Sequence, residues 1–383
     1  MNTSSANIDS SLARATAQKL RDGGARLEQT PSLLGFDGFI DTIYHVVDQR
    51  QSASEYSRVR TLAEYGGRIV SAAGKSTNVE IVPQNVKLGG NGPIMANAMC
   101  ALGVPVTYCG MTGYPTLNEV FRELANRAQL LPISDPALTD AIEFDDGKLI
   151  VGKHATVADV SHENIVQRVG ETAWREAWQG SRFVAMVNWT MLPHLTELWQ
   201  KIQADFPGGE RKVLFFDLAD PEKRTRGDIR EALLTLAKFQ GQHDVLLGLN
   251  EKEAQHVADV LELEVGNDDD LSREQNMIAL ASGIREKLGI AVCVVHPTQF
   301  AAAANTETTA VAAGPFTPNP KISTGAGDHF NAGFCTGYLL GCDLAQSLQM
   351  GVATSGYYVR NAQSPTREQL AEFLESLDEN CPC

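Results

Sequence analysis

At 383 residues the chain is long for one domain and short for two full ones, and its 43% hydrophobic and 21% charged residues are ordinary globular usage. The formal charge of -15 comes without any basic block, which excludes nucleic acid and anionic membrane as expected partners, since both reward clustered positive charge. The seven cysteines are odd in number and mostly set in apolar segments, so reduced thiols and a cytoplasmic location are expected rather than a disulfide scaffold. No stretch reaches the ~18 apolar residues of a membrane span, and the start of the chain lacks the apolar run of a signal peptide. The tail Cys381-Pro382-Cys383 lacks the second Cys/His pair that a zinc site needs.

In chain order, residues 1–9 read as disordered. Residues 10–28 form an added surface helix, with Ala13, Ala17, Leu20 and Leu27 at near-helical spacing. Residues 33–40 (LLGFDGFI) read as a buried strand, and 54–73 as a helix closed by Gly74. Residues 77–88 read as a strand interrupted at Pro83, hence an edge or a bend. A glycine-rich turn and a helix from Pro93 to Leu102 follow, then a strand at 104–110. Residues 140–155 read as a hairpin turning at Asp145-Asp146-Gly147. This hairpin and strand 77–88 stand outside the helix–strand rhythm and are the candidates for a small β appendage.

The second half alternates. Strands at 182–188, 212–217, 244–249 and 290–296 are interleaved with helices at 193–204, 228–239, 251–260 and 272–288, and short strands follow near 299–304 and 308–312. Helices at 326–340, 343–360 and 366–377 close the chain. Such alternation predicts an α/β fold, with a mostly parallel central sheet and helices on both faces.

Four segments carry chemistry. In Ser323-Thr-Gly-Ala-Gly-Asp-His-Phe-Asn-Ala-Gly-Phe334 a small-residue loop opens an apolar helix. A helix N-terminus exposes unpaired N–H groups and partial positive charge, and Gly325 and Gly327 let an anion approach that backbone closely. Asp328 then stands beside the anion, where it can take a proton from an attacking hydroxyl. Gly89-Gly90-Asn91-Gly92-Pro93 suits close contact with a polyhydroxylated ligand. Asn250 and Glu253 share one helical face at a strand's carboxyl end, where they could organise metal-bound water near phosphates. Asp37 and Asp41, set among apolar residues, need donors that sugar hydroxyls would supply. Ala73-Gly74-Lys75-Ser76 is not a Walker A loop, because position 69 is Ile where that loop needs Gly. His296 and His329 lie near these loops and read as structural histidines.

Taken together and in order, these residues resemble the ribokinase/PfkB family of carbohydrate kinases over about residues 33–377. Gly89 through Ala96 match its first signature, Thr324 through Phe334 its second, Asn250 and Glu253 its N-x-x-E motif, and Asp41 its early sugar-contacting Asp. The resemblance implies a ribokinase-like domain over 31–383 behind an N-terminal extension (1–30). It also implies a β lid drawn from about 77–90 and 139–156, with a homodimer through that lid as a conceivable assembly. The implied activity is transfer of the γ-phosphate of ATP to a sugar hydroxyl, with Mg²⁺ as cofactor. Asp328 would be the general base, and Gly325, Ala326 and Gly327 the anion hole. Asp37, Asp41, Gly89, Gly90 and Asn91 would contact the sugar. Asn250, Glu253, Thr324 and Asn361 would serve the nucleotide, with Glu253 reaching the metal through water. A nucleoside kinase of the same fold and a non-catalytic sugar or nucleotide sensor are the alternatives. Two departures matter. Ile322 replaces the signature's opening Asp, which helps bind an activating potassium ion in the family, and Asn91 stands where ribokinases proper have Lys. The sequence leaves the acceptor, the hydroxyl phosphorylated and ATP versus ADP as donor open.

Overall fold

The computed structural model describes residues 7–266 and 268–377. Among these, fourteen strands form two sheets. In chain order they are β1 (Ser32–Phe36), β2 (Phe39–Arg50), β3 (Tyr56–Arg58), β4 (Ile81–Gly89), β5 (Val106–Gly110), β6 (Gln129–Pro132) and β7 (Ala137–Phe144). The rest are β8 (Gly147–Lys153), β9 (Phe183–Met186), β10 (Val213–Asp217), β11 (Asp244–Leu249), β12 (Val292–Val295), β13 (Phe300–Ala304) and β14 (Thr309–Ala313).

The large sheet has nine strands in the order β14-β13-β12-β11-β10-β9-β1-β5-β6. From β6 to β12 every pairing is parallel, while β13 and β14 add an antiparallel edge. Alternate side chains of a strand leave on opposite faces, so a sheet covered on both sides needs apolar residues at every position. In β10 and β11, Leu214, Phe216, Val245 and Leu247 enter one core, while Phe215 and Leu246 enter the other. Helices Glu171–Gly180, Leu195–Asp205, Arg226–Lys238, Glu251–Val260 and Arg273–Leu288 close the first core. Helices Ser10–Asp22, Asn91–Ala101, Ala326–Leu339, Leu344–Asn361 and Arg367–Ser376 close the second.

The N-terminal helix is part of that second core. Ala13, Thr16, Ala17 and Leu20 are buried, and Arg21 reaches Glu368 and Glu375 on the C-terminal helix. Of residues 1–9, expected to be disordered, 7–9 are described, and there Ile8 is buried and Asp9 caps the helix through the Ser11 and Leu12 amides. Cys381 and Cys383 lie outside the described residues. Cys100, Cys109, Cys293, Cys335 and Cys342 are all free thiols. No helix of the described residues is long and apolar enough to cross a membrane.

The small sheet is the lid, and it is larger than the sequence predicts. Its central strand is β2, a 12-residue strand that pairs with β3, β4 and β7, while β8 completes the far edge by pairing with β7. The expected helix over 54–73 is corrected to Leu62–Ser71, preceded by β3. That helix covers the lid's own core of Val46, Val59, Ile142 and Phe144, onto which Tyr44, Leu62 and Tyr65 pack. Pro83 sits where expected: β4 pairs only with β2, and the register slips between Ile43 and Tyr44 opposite it.

Only Asp37 and Gly38 separate β1 in the large sheet from β2 in the lid, and the chain returns at Gly89–Gly90. At Gly38 the strands run so close that an added Cβ would lie 2.0 Å from the Met111 carbonyl oxygen.

Candidate active site

The strand order reverses at β1, which lies between β9 and β5, and in parallel sheets ligands bind at the carboxyl ends beside such a switch point. Asn188 follows β9, Asp217 ends β10 and Asn250 follows β11, and all three line one cavity of about 460 Å³. The lid roofs it with Asp41, Lys87, Thr139 and Lys148.

Asp37, one step beyond β1, does not reach this cavity. Its carboxylate is 0% exposed. It accepts the Asn91 N–H at 2.9 Å, the Gly92 N–H at 2.8 Å and the Asn188 Nδ2 at 2.6 Å. It therefore caps the helix Asn91–Ala101 with a negative charge and ties the outgoing and returning crossings of the lid together. Burial pushes its pKa up to about 6 against the pull of those donors. The fit demands glycine at position 90: φ is +98°, and a Cβ there would lie 2.8 Å from Asp37 Oδ2. Asp37, expected among the sugar contacts, thus stands in this structure as an anchor for the turn that carries Asn91.

Asp41 does face the cavity, on the lid, with Lys87 and Thr139 as its pairing partners on β4 and β7. Burial raises its pKa, and Lys87 opposes the rise. Gly89 lies behind it, where any side chain would strike the Asp41 carboxylate at 2.5 Å.

The glycine turn forms the floor. Gly325 has φ +89° and precedes the helix Ala326–Leu339, whose first turn holds Asp328. Thr324, Gly325, Gly327 and Asp328 line the cavity, and Asn91 Nδ2 donates to Asp328 Oδ1 at 2.9 Å. Burial, then the charges of Asp217 and Asp37, hold the Asp328 carboxyl well above its usual range.

A second cavity of about 560 Å³ opens on the other side of the turn, lined by the proline-rich loop Gly314 to Pro318, Ala326 and Phe330. Asn250, His296 and Gly327 belong to both cavities. The glycine turn therefore stands between a polar, lid-covered space and an apolar one.

Asn250 and Glu253 form a capping box: Asn250 Oδ1 accepts the Glu253 N–H at 2.9 Å, and Glu253 Oε2 accepts the Asn250 N–H at 2.8 Å. Glu253 Oε1 also accepts the Asp220 N–H at 2.8 Å, and Glu253 lines the first cavity. Asp217 accepts Asn331 Nδ2 at 2.6 Å and the Ala219 N–H at 2.8 Å. Burial and then the Glu253 charge push Asp217 up to about 8, and burial raises Glu253. Each of these carboxylate oxygens keeps a lone pair beyond its N–H partner, and mutual repulsion is what a dication relieves, so the pair fits Mg²⁺ held through water. Among the described residues no cluster of three or more Asp, Glu, His or Cys side chains is set to hold a metal directly.

Sequence reasoning missed Asn188, Asp217 and the Gly314–Pro318 loop. Asn188 leaves its buried Oδ1 unpaired. Each closes or follows an apolar strand at the sheet's carboxyl edge, the one signal that could have marked them. Thr324 reaches the first cavity but not the apolar one. Asn361 reaches neither: it lines a groove behind the turn, and its Nδ2 donates to the Tyr357 carbonyl.

The family model described as prokaryotic ketohexokinase matches residues 8–377. A ketohexokinase of Haloferax volcanii is 30% identical over 351 residues, covering 89% of this chain and 90% of that protein. Among solved structures, a fructokinase with bound ATP from Xylella fastidiosa superposes with a TM-score of 0.61 at 13% identity, covering 91% of this chain and 99% of that one. A nucleoside kinase of the ribokinase family from Methanocaldococcus jannaschii gives 0.60 at 14% identity, covering 90% and 98%. At such identities the two structures share the fold alone with this chain.

Proposed function

We propose that this chain, which belongs to the prokaryotic ketohexokinase family within the ribokinase/PfkB sugar kinases, transfers the γ-phosphate of ATP to a hydroxyl of a ketohexose such as fructose. The observation that carries the reading is the position of the Gly325–Asp328 turn between the two cavities.

The apolar cavity along Gly314–Pro318 takes the nucleotide base and leads its phosphates to the amides that open the helix Ala326–Leu339. The lid-covered cavity takes the sugar. Its hydroxyls donate to Asp41 and to Asn188 Oδ1, which is buried and otherwise unpaired. Asn91, held by Asp37 from below, orients the Asp328 carboxylate. Asp328 accepts the proton of the attacking hydroxyl while the turn's amides stabilise the charge that spreads over the transferring phosphoryl oxygens. Mg²⁺ held through water by Glu253 and Asp217 would supply further neutralisation of the phosphate charge. Lid closure over the sugar excludes water, which would otherwise compete as acceptor.

The test is incubation of the purified protein with ATP, Mg²⁺ and a panel of ketohexoses, aldoses and nucleosides, following ADP release and the ³¹P spectrum of the product. The reading expects a phosphomonoester from a ketohexose. Turnover confined to nucleosides would move the chain to the nucleoside-kinase alternative, and binding without turnover of any acceptor would make it a sensor.

A further inference from the structure

The phosphate-gripping turn is itself held from behind, by side chains that line neither ligand cavity. Tyr358 Oη donates to the Thr324 carbonyl at 3.0 Å, and His329 Nδ1 contacts the Gly325 carbonyl at 2.8 Å. A carbonyl can only accept, so Nδ1 carries the imidazole proton and Nε2 is the acceptor. Ser364 Oγ, 2.9 Å away, donates to Nε2. The imidazole and phenol rings stack with centroids 3.5 Å apart at 13°. All of this lies on the rear groove shared by His329, Tyr358 and Ser364.

We propose that His329, Tyr358 and Ser364 are positioning residues that aim the amides of the Thr324–Asp328 turn at the transferring phosphoryl group, an inference that rests on the kinase reading above. The reason is the planarity of the peptide unit: in a trans amide the C=O and N–H point in opposite directions. Pinning the Thr324 carbonyl to Tyr358 at the rear turns the Gly325 N–H toward the front. The Gly325 carbonyl receives both the backbone N–H of His329 at 3.1 Å and its Nδ1–H, which fixes the first turn of the helix. The Gly327 and Asp328 amides there have no intrahelical partner to orient them. Tyr358 also packs closely behind the turn, since a Cβ built on Gly325, which sits at φ +89°, would lie 3.2 Å from Tyr358 Oη.

Both donors keep their protons at neutral pH. Burial pushes the His329 pKa down to about 4 and the Tyr358 pKa up to about 12, so the first stays the neutral Nδ1–H tautomer and the second a phenol. Ser364 sits on the connection between the last two helices, so the stack also links that loop to the turn.

Three variants separate aiming from mere packing. Tyr358→Phe and His329→Phe keep the stacked rings and remove the hydrogen bonds, while His329→Asn restores an N–H at the Nδ1 position. The readouts are kcat, the acceptor KM, the melting temperature, and the affinities for ADP and for ADP–beryllium fluoride, a γ-phosphate mimic whose binding needs no turnover. In the two Phe variants kcat should fall about 10–100-fold, less than the ~10²–10³ lost on deleting an anion-hole donor outright. The affinity for ADP–beryllium fluoride should fall with it, while the acceptor KM and ADP affinity stay within about twofold, and His329→Asn should recover much of the loss. Unchanged kcat and unchanged ADP–beryllium fluoride affinity in both Phe variants would overturn the proposal. So would a uniform loss of ADP, acceptor and thermal stability that His329→Asn does not relieve. An inactive wild-type protein would instead sink the kinase reading, and the beryllium fluoride affinities would still decide the role of the stack.

Discussion

Four carboxylates, Asp37, Asp217, Glu253 and Asp328, gather at the carboxyl edge of one sheet, each burdened by burial and the last three also by like-charged neighbours. The proposed function would account for that cost, with Asp328 as a base whose raised pKa suits proton transfer and Asp217 with Glu253 facing a dication. Asp217 gives a direct reading of this cost. Its pKa rises from 3.8 to about 8 on folding. The native state therefore binds this proton more tightly than the unfolded chain, and its contribution to stability falls as pH rises from about 4 to about 8. Asparagine at this position does not titrate. The melting temperature of Asp217→Asn minus that of wild type, measured without ligands by differential scanning fluorimetry, should increase from pH 5 to pH 8.5; a difference that stays flat or shrinks would show that Asp217 is not strained. At this scale Asp328, Gly325 and Asn91 were legible because glycine spacing and a helix start confine what they can do. Asp217 was not, because a lone Asp closing an apolar strand reads the same whether it meets a ligand or solvent.

Among the elements, helices with a clean start signal and the long apolar strands of the large sheet followed from the sequence. Two elements did not. Residues 33–40 read as one strand because only Asp37 and Gly38 divide β1 from β2, and the close approach of Gly38 to the Met111 carbonyl at that break is a tertiary fact. The helix Leu62–Ser71 is shorter than the expected 54–73 because pairing with β2 makes Tyr56–Arg58 a strand. The N-terminal helix was read as an addition to the surface, yet Leu20 is 0% exposed against the last helices of the chain. Leu20→Ala should therefore cost about 2–5 kcal/mol, the usual range for emptying a buried leucine site, in a urea unfolding titration. A cost below about 0.5 kcal/mol, typical of surface positions, would return the helix to the status of an appendage.

Across the whole molecule, function depends on a rigid two-core domain presenting a floor and a small lid presenting a roof. The lid's separate core is only Val46, Val59, Ile142 and Phe144 with their neighbours, so local opening there should need less free energy than opening the large sheet. In hydrogen exchange, β2, β7 and β8 should exchange faster than β9 to β11 in the free protein, and should slow when ketohexose and a non-hydrolysable ATP analogue are added together. Equal protection of both sheets, or a lid indifferent to ligands, would contradict the roof role. Neither the two cavities nor their meeting at Gly327 could be read from residue order, because each is assembled from loops far apart in the chain. The most direct test of the account is the turnover of Asp328→Asn on the acceptor that the wild-type protein uses. Loss of the base should lower kcat by roughly 10²–10⁴ while the acceptor still binds with near wild-type affinity by calorimetry. Wild-type kcat in that variant would mean that the proton leaves by another route and that the turn does not house the chemistry.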